Sequence, residues 1–151
     1  MFITTSRKAE ITEKKFCKYM GLFFSDIKHI PRGETSLKKL FERSAYLGYK
    51  QFLLISKNKE NLILEVYVLK EDSYFLEKAL EIKNLKTKLN LSLSKIKNTA
   101  LTEKPNIEEL FKTKETDNQI RILKTNNNFS FLLEEKETGF SFDLKKVKEL
   151  W

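Results

Sequence analysis

Residues 51–69, QFLLISKNKENLILEVYVL, decide the fold prediction for this chain. Two runs rich in apolar residues, 51–56 and 61–69, are separated by the polar stretch KNKE. This pattern predicts two antiparallel strands joined by a short turn. Because both runs are apolar almost throughout, we expect each strand to be buried on both faces of a sheet.

The segments before this hairpin predict two helices that alternate with two strands. The first five residues are β-like, and Thr12 is predicted to cap a helix whose apolar residues recur at helical spacing. Residues 27–30 predict a short strand. Thr35 or Ser36 caps a second helix, and Gly48 stands where a left-handed residue ends it. The first 70 residues therefore predict strand, helix, strand, helix, strand, strand, an α/β unit with helices layered on a sheet.

The second half of the chain carries weaker patterns. Residues 80–82 predict a strand, and the leucines within 85–93 fit either a strand or a helix. The spacing from Asn106 to Glu109 predicts a capping box at the start of a short helix. Residues 118–124 predict a further strand.

The clearest late feature is a second hairpin. Phenylalanine and leucine alternate with polar residues in 129–133 and again in 140–144, and ETG (137–139) is predicted to form the turn between them. A last short helix over 145–150 is predicted to dock Trp151 on the body. No low-complexity linker divides the chain, so we expect the two halves to pack on one another.

The charge of the chain points to a partner of opposite sign. The 151 residues include 29 Lys and Arg against 21 acids, giving a net charge of +8. Residues 1–43 hold ten cations against five acids, and 78–104 hold seven against two, so two basic patches are predicted. Such a surplus favours a polyanion, most commonly nucleic acid. A lysine-rich solvated surface is the alternative.

The residue inventory argues against an enzyme. Cys17 is the only cysteine, which excludes an internal disulfide, and it is predicted to be a core residue. His29 is the only histidine. Glu65, an acid within a β-run, is expected to face a sheet edge or pair with a lysine rather than act as a general acid. We therefore expect no catalysis and no cofactor or metal. No apolar run approaches the roughly 20 residues that span a bilayer, so a cytoplasmic protein without membrane contact is expected.

Residues 30–39, IPRGETSLKK, are the first candidate for contact with an anion. The proline favours extended geometry before it, Gly33 lets the chain turn closely, and the helix start that follows attracts negative charge. Arg32 adds a forked donor suited to phosphate. The alternative is an ordinary strand–turn–helix connection in which Arg32 pairs with Glu34 or Asp26.

Two further stretches are candidates for contact with a nucleic-acid backbone. Residues 5–8, TSRK, follow the first predicted strand, and Arg7 would lie beside Arg32 only if their loops were neighbours. In the second basic patch, Lys86 and Lys88 share one face of a predicted strand. The candidate RNA-contacting residues are Ser6, Arg7, Lys8, Arg32, Gly33, Lys38, Lys39, Arg43, Lys86 and Lys88.

Several of these features together resemble the opening of a Brix domain. They are TTSRK (4–8), the helix after it, IPRG (30–33), the helix LKKLFERSAYLGY and the strand QFLLIS. The closing pattern of that family, E-x-G-P-R-F-x-L, is matched here by Glu137, Gly139, Phe142 and Leu144. Phe140 and Ser141 stand where proline and arginine are usual, so an RNA-contact role of that arginine is not carried over. The short chain resembles archaeal members of the family.

The resemblance implies a single domain over 1–151, with similar α/β halves over about 1–75 and 76–151. It implies the α+β fold of the anticodon-binding domain of class IIa aminoacyl-tRNA synthetases. It also implies a non-catalytic role in ribosome biogenesis, through binding of precursor ribosomal RNA and of ribosome-assembly proteins. Two alternatives stay open: a protein-interaction module in a ribosome-assembly complex, and a tRNA-binding module like a detached anticodon-binding domain.

Overall fold

A computed structural model describes residues 1–112 and 116–147 of the chain. Its elements are β1 Phe2–Thr5, α1 Ile11–Phe23, β2 Lys28–His29, α2 Leu37–Tyr46, β3 Gln51–Asn58, β4 Asn61–Lys70, β5 Ser73–Lys86, α3 Leu93–Lys97, a 3-10 helix Leu101–Glu103, α4 Ile107–Phe111, β6 Ile120–Thr125, β7 Asn128–Leu133 and β8 Lys136–Lys146. The predicted class, a mixed α/β (α+β) fold, is confirmed. The predicted order of elements over the first 70 residues is also confirmed.

The strands form one eight-stranded sheet in the order β2-β1-β3-β4-β5-β8-β7-β6. β1 pairs in parallel with both β2 and β3, and the remaining pairs are antiparallel. It follows that β1, β2, β3 and β5 all run in the same direction. Their carboxyl ends therefore lie along one side of the sheet. We call this side, which is formed by strand ends and not by an outer strand, the carboxyl edge.

Each face of the sheet carries its own apolar cluster. On one face, α1 packs Phe16, Met20 and Phe23 against a group of phenylalanines that includes Phe131 and Phe140. This larger cluster contains Cys17, which is fully buried as predicted.

On the other face, α2 packs Leu40 against Phe2, Phe52 and Leu54. Because helices lie on both faces, the middle of β3 and β4 is buried on both sides. The prediction drawn from residues 51–69 is thereby confirmed.

The helix starts agree with the sequence in two cases and differ in one. The Ser36 hydroxyl accepts from the Lys39 N–H at 3.2 Å and caps α2, and Asn106 forms a capping box with Glu109 at the start of α4. The prediction that Thr12 caps α1 is wrong. α1 begins at Ile11, and its capping box is formed by Glu10 and Glu13.

The late hairpin forms, but its predicted turn is wrong. The turn lies at Glu134 and Glu135, which both have positive φ angles, 52° and 64°. This pair of angles matches the twist of the strands that it joins. ETG (137–139) belongs to β8 instead, near a register irregularity opposite Ser130.

Two other predictions in the second half concern the final helix and the leucine-rich segment after β5, and the structure differs from both. The predicted final helix over 145–150 is wrong at its start, because Lys145 and Lys146 continue β8 and pair with β5. Its end and Trp151 lie outside the described residues. Residues 87–92 form neither of the elements considered, since β5 ends at Lys86 and α3 begins at Leu93.

Glu65 does not lie in an edge strand, and no lysine of the described residues pairs with it, so that prediction is also wrong. It lies in β4, between β3 and β5, and its side chain is largely buried. The Tyr67 hydroxyl donates to its carboxylate at 2.9 Å. Burial raises the pKa of the Glu65 carboxyl above its usual range, and the hydrogen bond offsets part of this rise.

The division into two halves stays a prediction. Its boundary, near residue 75, falls inside β5. That strand pairs with β4 on one side and with β8 on the other, so it joins both parts of the sheet.

Candidate nucleic-acid interface

The sheet topology brings the two N-terminal candidate loops together. The loop containing Arg7 follows β1, and the loop containing Arg32 follows β2. These strands are parallel neighbours, with Phe2 opposite Lys28 and Ile3 opposite His29. Both loops therefore leave the sheet side by side at the carboxyl edge, where ligands commonly bind in sheets of this kind.

Hydrogen bonds hold both arginines in place. Arg32 donates from Nε to the Thr35 carbonyl at 2.7 Å and from Nη1 to the Thr5 carbonyl at 3.1 Å. It thereby ties the end of β1 to the turn before α2. Arg7 donates from Nη2 to the Glu34 carbonyl at 3.2 Å.

Neither arginine forms an ion pair with a carboxylate of the described residues. The proposed pairing of Arg32 with Glu34 or Asp26 does not occur, and the Asp26 carboxylate instead accepts from the Ile107 N–H at 3.0 Å. The pKa of the Arg32 guanidinium is lowered by partial burial and then by the charge of Arg7. The two arginines therefore form a close, uncompensated pair of positive charges, which favours an anion.

A cleft of about 470 Å³ opens beside this pair. Four of the candidate residues line it, namely Ser6, Lys8, Arg32 and Gly33, whereas Arg7 lies beside the cleft and is not among its lining residues. The sequence analysis did not identify two charged or titratable residues of the lining, Lys14 and His29. The remaining lining residues are Thr5, Ala9, Pro31 and Glu34. We call this space the arginine cleft.

The two missed residues could be found only after the elements had been located. Lys14 lies in the first turn of α1, directly after the loop that contains Arg7. His29 ends β2, directly before the loop that contains Arg32. The pKa of His29 is lowered, first by burial and then by the positive charge of Lys18.

Gly33 is required for its backbone conformation rather than for close packing. Its φ is +56°, and a Cβ there would meet nothing within 4 Å. The expectation that Gly33 lets the chain turn closely agrees with this positive φ. Lys8 has nearly the same conformation, with φ of 57°, in the neighbouring loop.

The three candidate cations of α2 do not join the arginine cleft. Lys38 lines a different concavity, together with Phe41 and Tyr74. Lys39 and Arg43 are exposed and lie one helical turn apart. Neither Lys38 nor Lys39 is among the residues that line the arginine cleft with Arg32.

Lys86 and Lys88 line a concavity of about 550 Å³ at the C-terminal end of β5. They do not share a strand face, because Lys88 lies beyond the last residue of β5. They do lie at the carboxyl edge, since β5 runs parallel to β3. The turn between β3 and β4 stands between the two basic sites, with Lys59 exposed and Lys57 paired with Glu10 at 2.8 Å.

The described residues form neither a metal-binding cluster nor a membrane-spanning helix. In 1–112 and 116–147, no three His, Cys, Asp or Glu side chains are grouped so that they could hold a metal ion. None of the helices in these ranges combines the length and the apolar character needed to cross a bilayer.

Comparison with known proteins gives matches in structure. No protein-family model matches the sequence, and no curated protein sequence matches it. A probable ribosomal biogenesis protein from Aeropyrum pernix K1 superposes with a TM-score of 0.62 and 14% identity, over 98% of this chain and 96% of the other. Mil, an archaeal Imp4-like protein, superposes with a TM-score of 0.58 and 13% identity, over 97% of this chain and 100% of the other. The chain therefore has the fold of these two archaeal proteins.

Proposed function

We propose that this protein is a member of the Brix domain family and acts as a non-catalytic ribosome biogenesis factor. It binds ribosomal RNA or its precursor, and the arginine cleft holds phosphates of the RNA backbone. Ribosome-assembly proteins are its further partners. The proposed compartment is the cytoplasm.

The observation that carries this proposal is the arginine pair at the carboxyl edge. Arg7 and Arg32 donate to main-chain carbonyls and not to carboxylates, so their charges stay available to a ligand. Each guanidinium has five N–H donors, and only one or two are used within the described residues. Paired guanidinium groups suit phosphate, which accepts two parallel hydrogen bonds. The likeness in fold to a probable ribosomal biogenesis protein favours ribosomal RNA among phosphate polymers.

Binding to a labelled, structured fragment of ribosomal RNA, followed by fluorescence anisotropy, tests this proposal. We expect the double variant Arg7→Gln/Arg32→Lys to bind about tenfold more weakly or worse, because it loses charge-assisted hydrogen bonds. The control is Lys70→Gln, which removes an exposed cation at the end of β4, on the opposite edge of the sheet. Equal affinity of the double variant and the unmodified protein would reject the arginine cleft as the RNA site.

Competition with unlabelled tRNA separates this proposal from a tRNA-binding module. Under the proposal, the ribosomal RNA fragment displaces the labelled RNA at a concentration where tRNA does not. Displacement by tRNA at the lower concentration would instead favour the tRNA-binding alternative.

A protein-interaction role is the second candidate, and one surface feature favours it. Tyr46 and Leu47, at the end of α2, are 90% and 49% exposed. Neighbouring exposed apolar side chains are typical of sites that contact other proteins. We expect Tyr46→Ser to remove nuclease-resistant copurification with ribosome-assembly proteins and to leave RNA affinity unchanged. Unaltered copurification would exclude this surface as the contact.

A further inference from the structure

The concavity at the end of β5 has a floor of small residues. Ser130, Gly139 and Ser141 lie on adjacent strands β7 and β8, with Ser130 opposite Ser141. Within 1–112 and 116–147, no residue of a helix lines this concavity. Because the floor side chains are short and those of the rim are long, a space of about 550 Å³ remains between them. This volume is within the range of small-ligand sites. We call it the β5 concavity.

Gly139 is needed to build this concavity. Its φ is +93°, and a Cβ there would lie 2.1 Å from the Lys88 carbonyl oxygen. The Asn90 N–H donates to the Thr138 carbonyl at 2.7 Å, so the chain beyond β5 runs closely along β8. This contact sets Lys88 and Asn90 at the rim.

Within the described residues, the polar side chains of the rim are not held by hydrogen bonds or ion pairs, although the charge of Lys86 acts on Asp143. The ammonium groups of Lys86 and Lys88, the Glu137 carboxylate, the Asn90 amide and the Ser141 hydroxyl form no side-chain hydrogen bond or ion pair there. The rim therefore offers donors, positive charge and one carboxylate acceptor at the same place. Such a mixture differs from a plain cationic surface, which offers only donors.

The other nearby acid is already satisfied. Asp143 accepts from the amides of Asn84 and Asn128, each at 2.7 Å. These two bonds lower the pKa of the Asp143 carboxyl, and the charge of Lys86 lowers it further. Glu137 is thus the acid of this site that remains free to accept a hydrogen bond from a ligand.

We propose that the β5 concavity binds an unpaired nucleotide of RNA whose base carries an amino group. This inference rests on the proposed function and adds a preference among bases to it. The phosphate lies against Lys86 and Lys88, and Glu137 accepts from the exocyclic amino group. Cytosine, adenine and guanine have such a group, and uracil does not.

The chemistry of the site selects an unpaired base over a duplex. In an RNA duplex each amino group uses one of its two N–H donors in the base pair, and in adenine and cytosine the other faces a deep, narrow groove that side chains do not reach. An unpaired base can turn its edge into a concavity, which is the usual way in which proteins read RNA sequence. The small floor formed by Ser130 and Ser141 leaves room for the ring.

Anisotropy with labelled RNA octamers of cytidine, adenosine and uridine tests this inference on the full-length protein. We expect the cytidine and adenosine octamers to bind about tenfold more tightly than the uridine octamer, the ratio expected for one charge-assisted hydrogen bond. Glu137→Gln should abolish this ratio, because an amide also donates to the uracil carbonyl. Lys86→Ala/Lys88→Ala should weaken all three octamers. Equal affinity for the three octamers in the unmodified protein would overturn the inference.

Filling the concavity provides a second test. Ser141→Phe covers the floor and leaves both lysines in place, so it should remove the base preference and much of the octamer affinity. Its control is Thr102→Phe, at an exposed position of the 3-10 helix. Octamer binding that is unchanged in Ser141→Phe would mean that the lysines act as a surface charge only, against the inference. Neither substitution touches the arginine cleft, so binding of structured ribosomal RNA tests the proposed function separately.

Discussion

The salt dependence of RNA binding should distinguish a charge beside the arginine cleft from an equal charge elsewhere. Arg7→Gln and Lys70→Gln each remove one exposed positive charge from a net charge of +8. Arg7 lies at the carboxyl edge beside Arg32, and Lys70 ends β4 at the opposite edge. If only the overall charge attracts RNA, the two variants should behave alike.

The expected difference between the two variants is a difference in the slope of log K against log salt concentration. Each phosphate contact adds about 0.7 to 0.9 to the slope of log K against log salt concentration. Arg7 has no carboxylate partner among the described residues, so its removal should lower the slope by that full amount. Lys70→Gln should leave the slope unchanged. Arg32→Lys keeps the charge and should preserve the slope, but it should weaken binding because lysine lacks the fork that spans Thr5 and Thr35.

The assay is a titration of labelled ribosomal RNA by each variant at four or more salt concentrations. Melting temperatures are measured in parallel, so that a loss of binding can be separated from a loss of folding. Equal slopes for Arg7→Gln and Lys70→Gln would contradict an RNA contact at Arg7, because the position of the charge would then have no effect on binding.

Three further predictions concern stability. The folded state raises the pKa of Glu65 from its ordinary value of 4.5 by burial, so the contribution of this group to the free energy of unfolding is largest below that pH and falls as pH rises through the raised value. Glu65→Gln keeps an acceptor for Tyr67 and should therefore unfold at a higher urea concentration than the unmodified protein at pH 8, with less difference at pH 4; an equal gain at both would contradict this. Ser36→Ala should cost about 1 kcal/mol in urea unfolding through the loss of the α2 cap, whereas Thr35→Ala should cost much less. Gly139→Ala should cost more than about 2 kcal/mol, since it combines a positive φ with a clash against the Lys88 carbonyl. Gly33→Ala, which has open space, should cost about 1 kcal/mol, and equal costs for the two glycines would show that the clash does not matter.

The local patterns of the chain determined its elements wherever a short-range cause acts. The apolar runs of 51–56 and 61–69, the serine before Leu37 and the spacing from Asn106 to Glu109 each act within a few residues, and the elements formed as predicted. The turn predicted at 137–139 was wrong because a positive φ also occurs within an irregular strand. A glycine in the sequence is compatible both with a turn and with an irregular strand, so Gly139 did not distinguish them.

Pairing between distant strands determines which cations meet. Arg7 and Arg32 are separated by a helix and a strand in the chain, and they become neighbours because β1 and β2 pair in parallel. Lys38, three residues before Phe41 on the same helix, instead lies at another concavity because α2 packs on one face of the sheet. The physical reason is that residue type and spacing act locally along the chain, whereas strand order and direction depend on pairing between distant segments. The amino acids therefore specified a cationic protein with these elements, and the sheet specified where its charges converge.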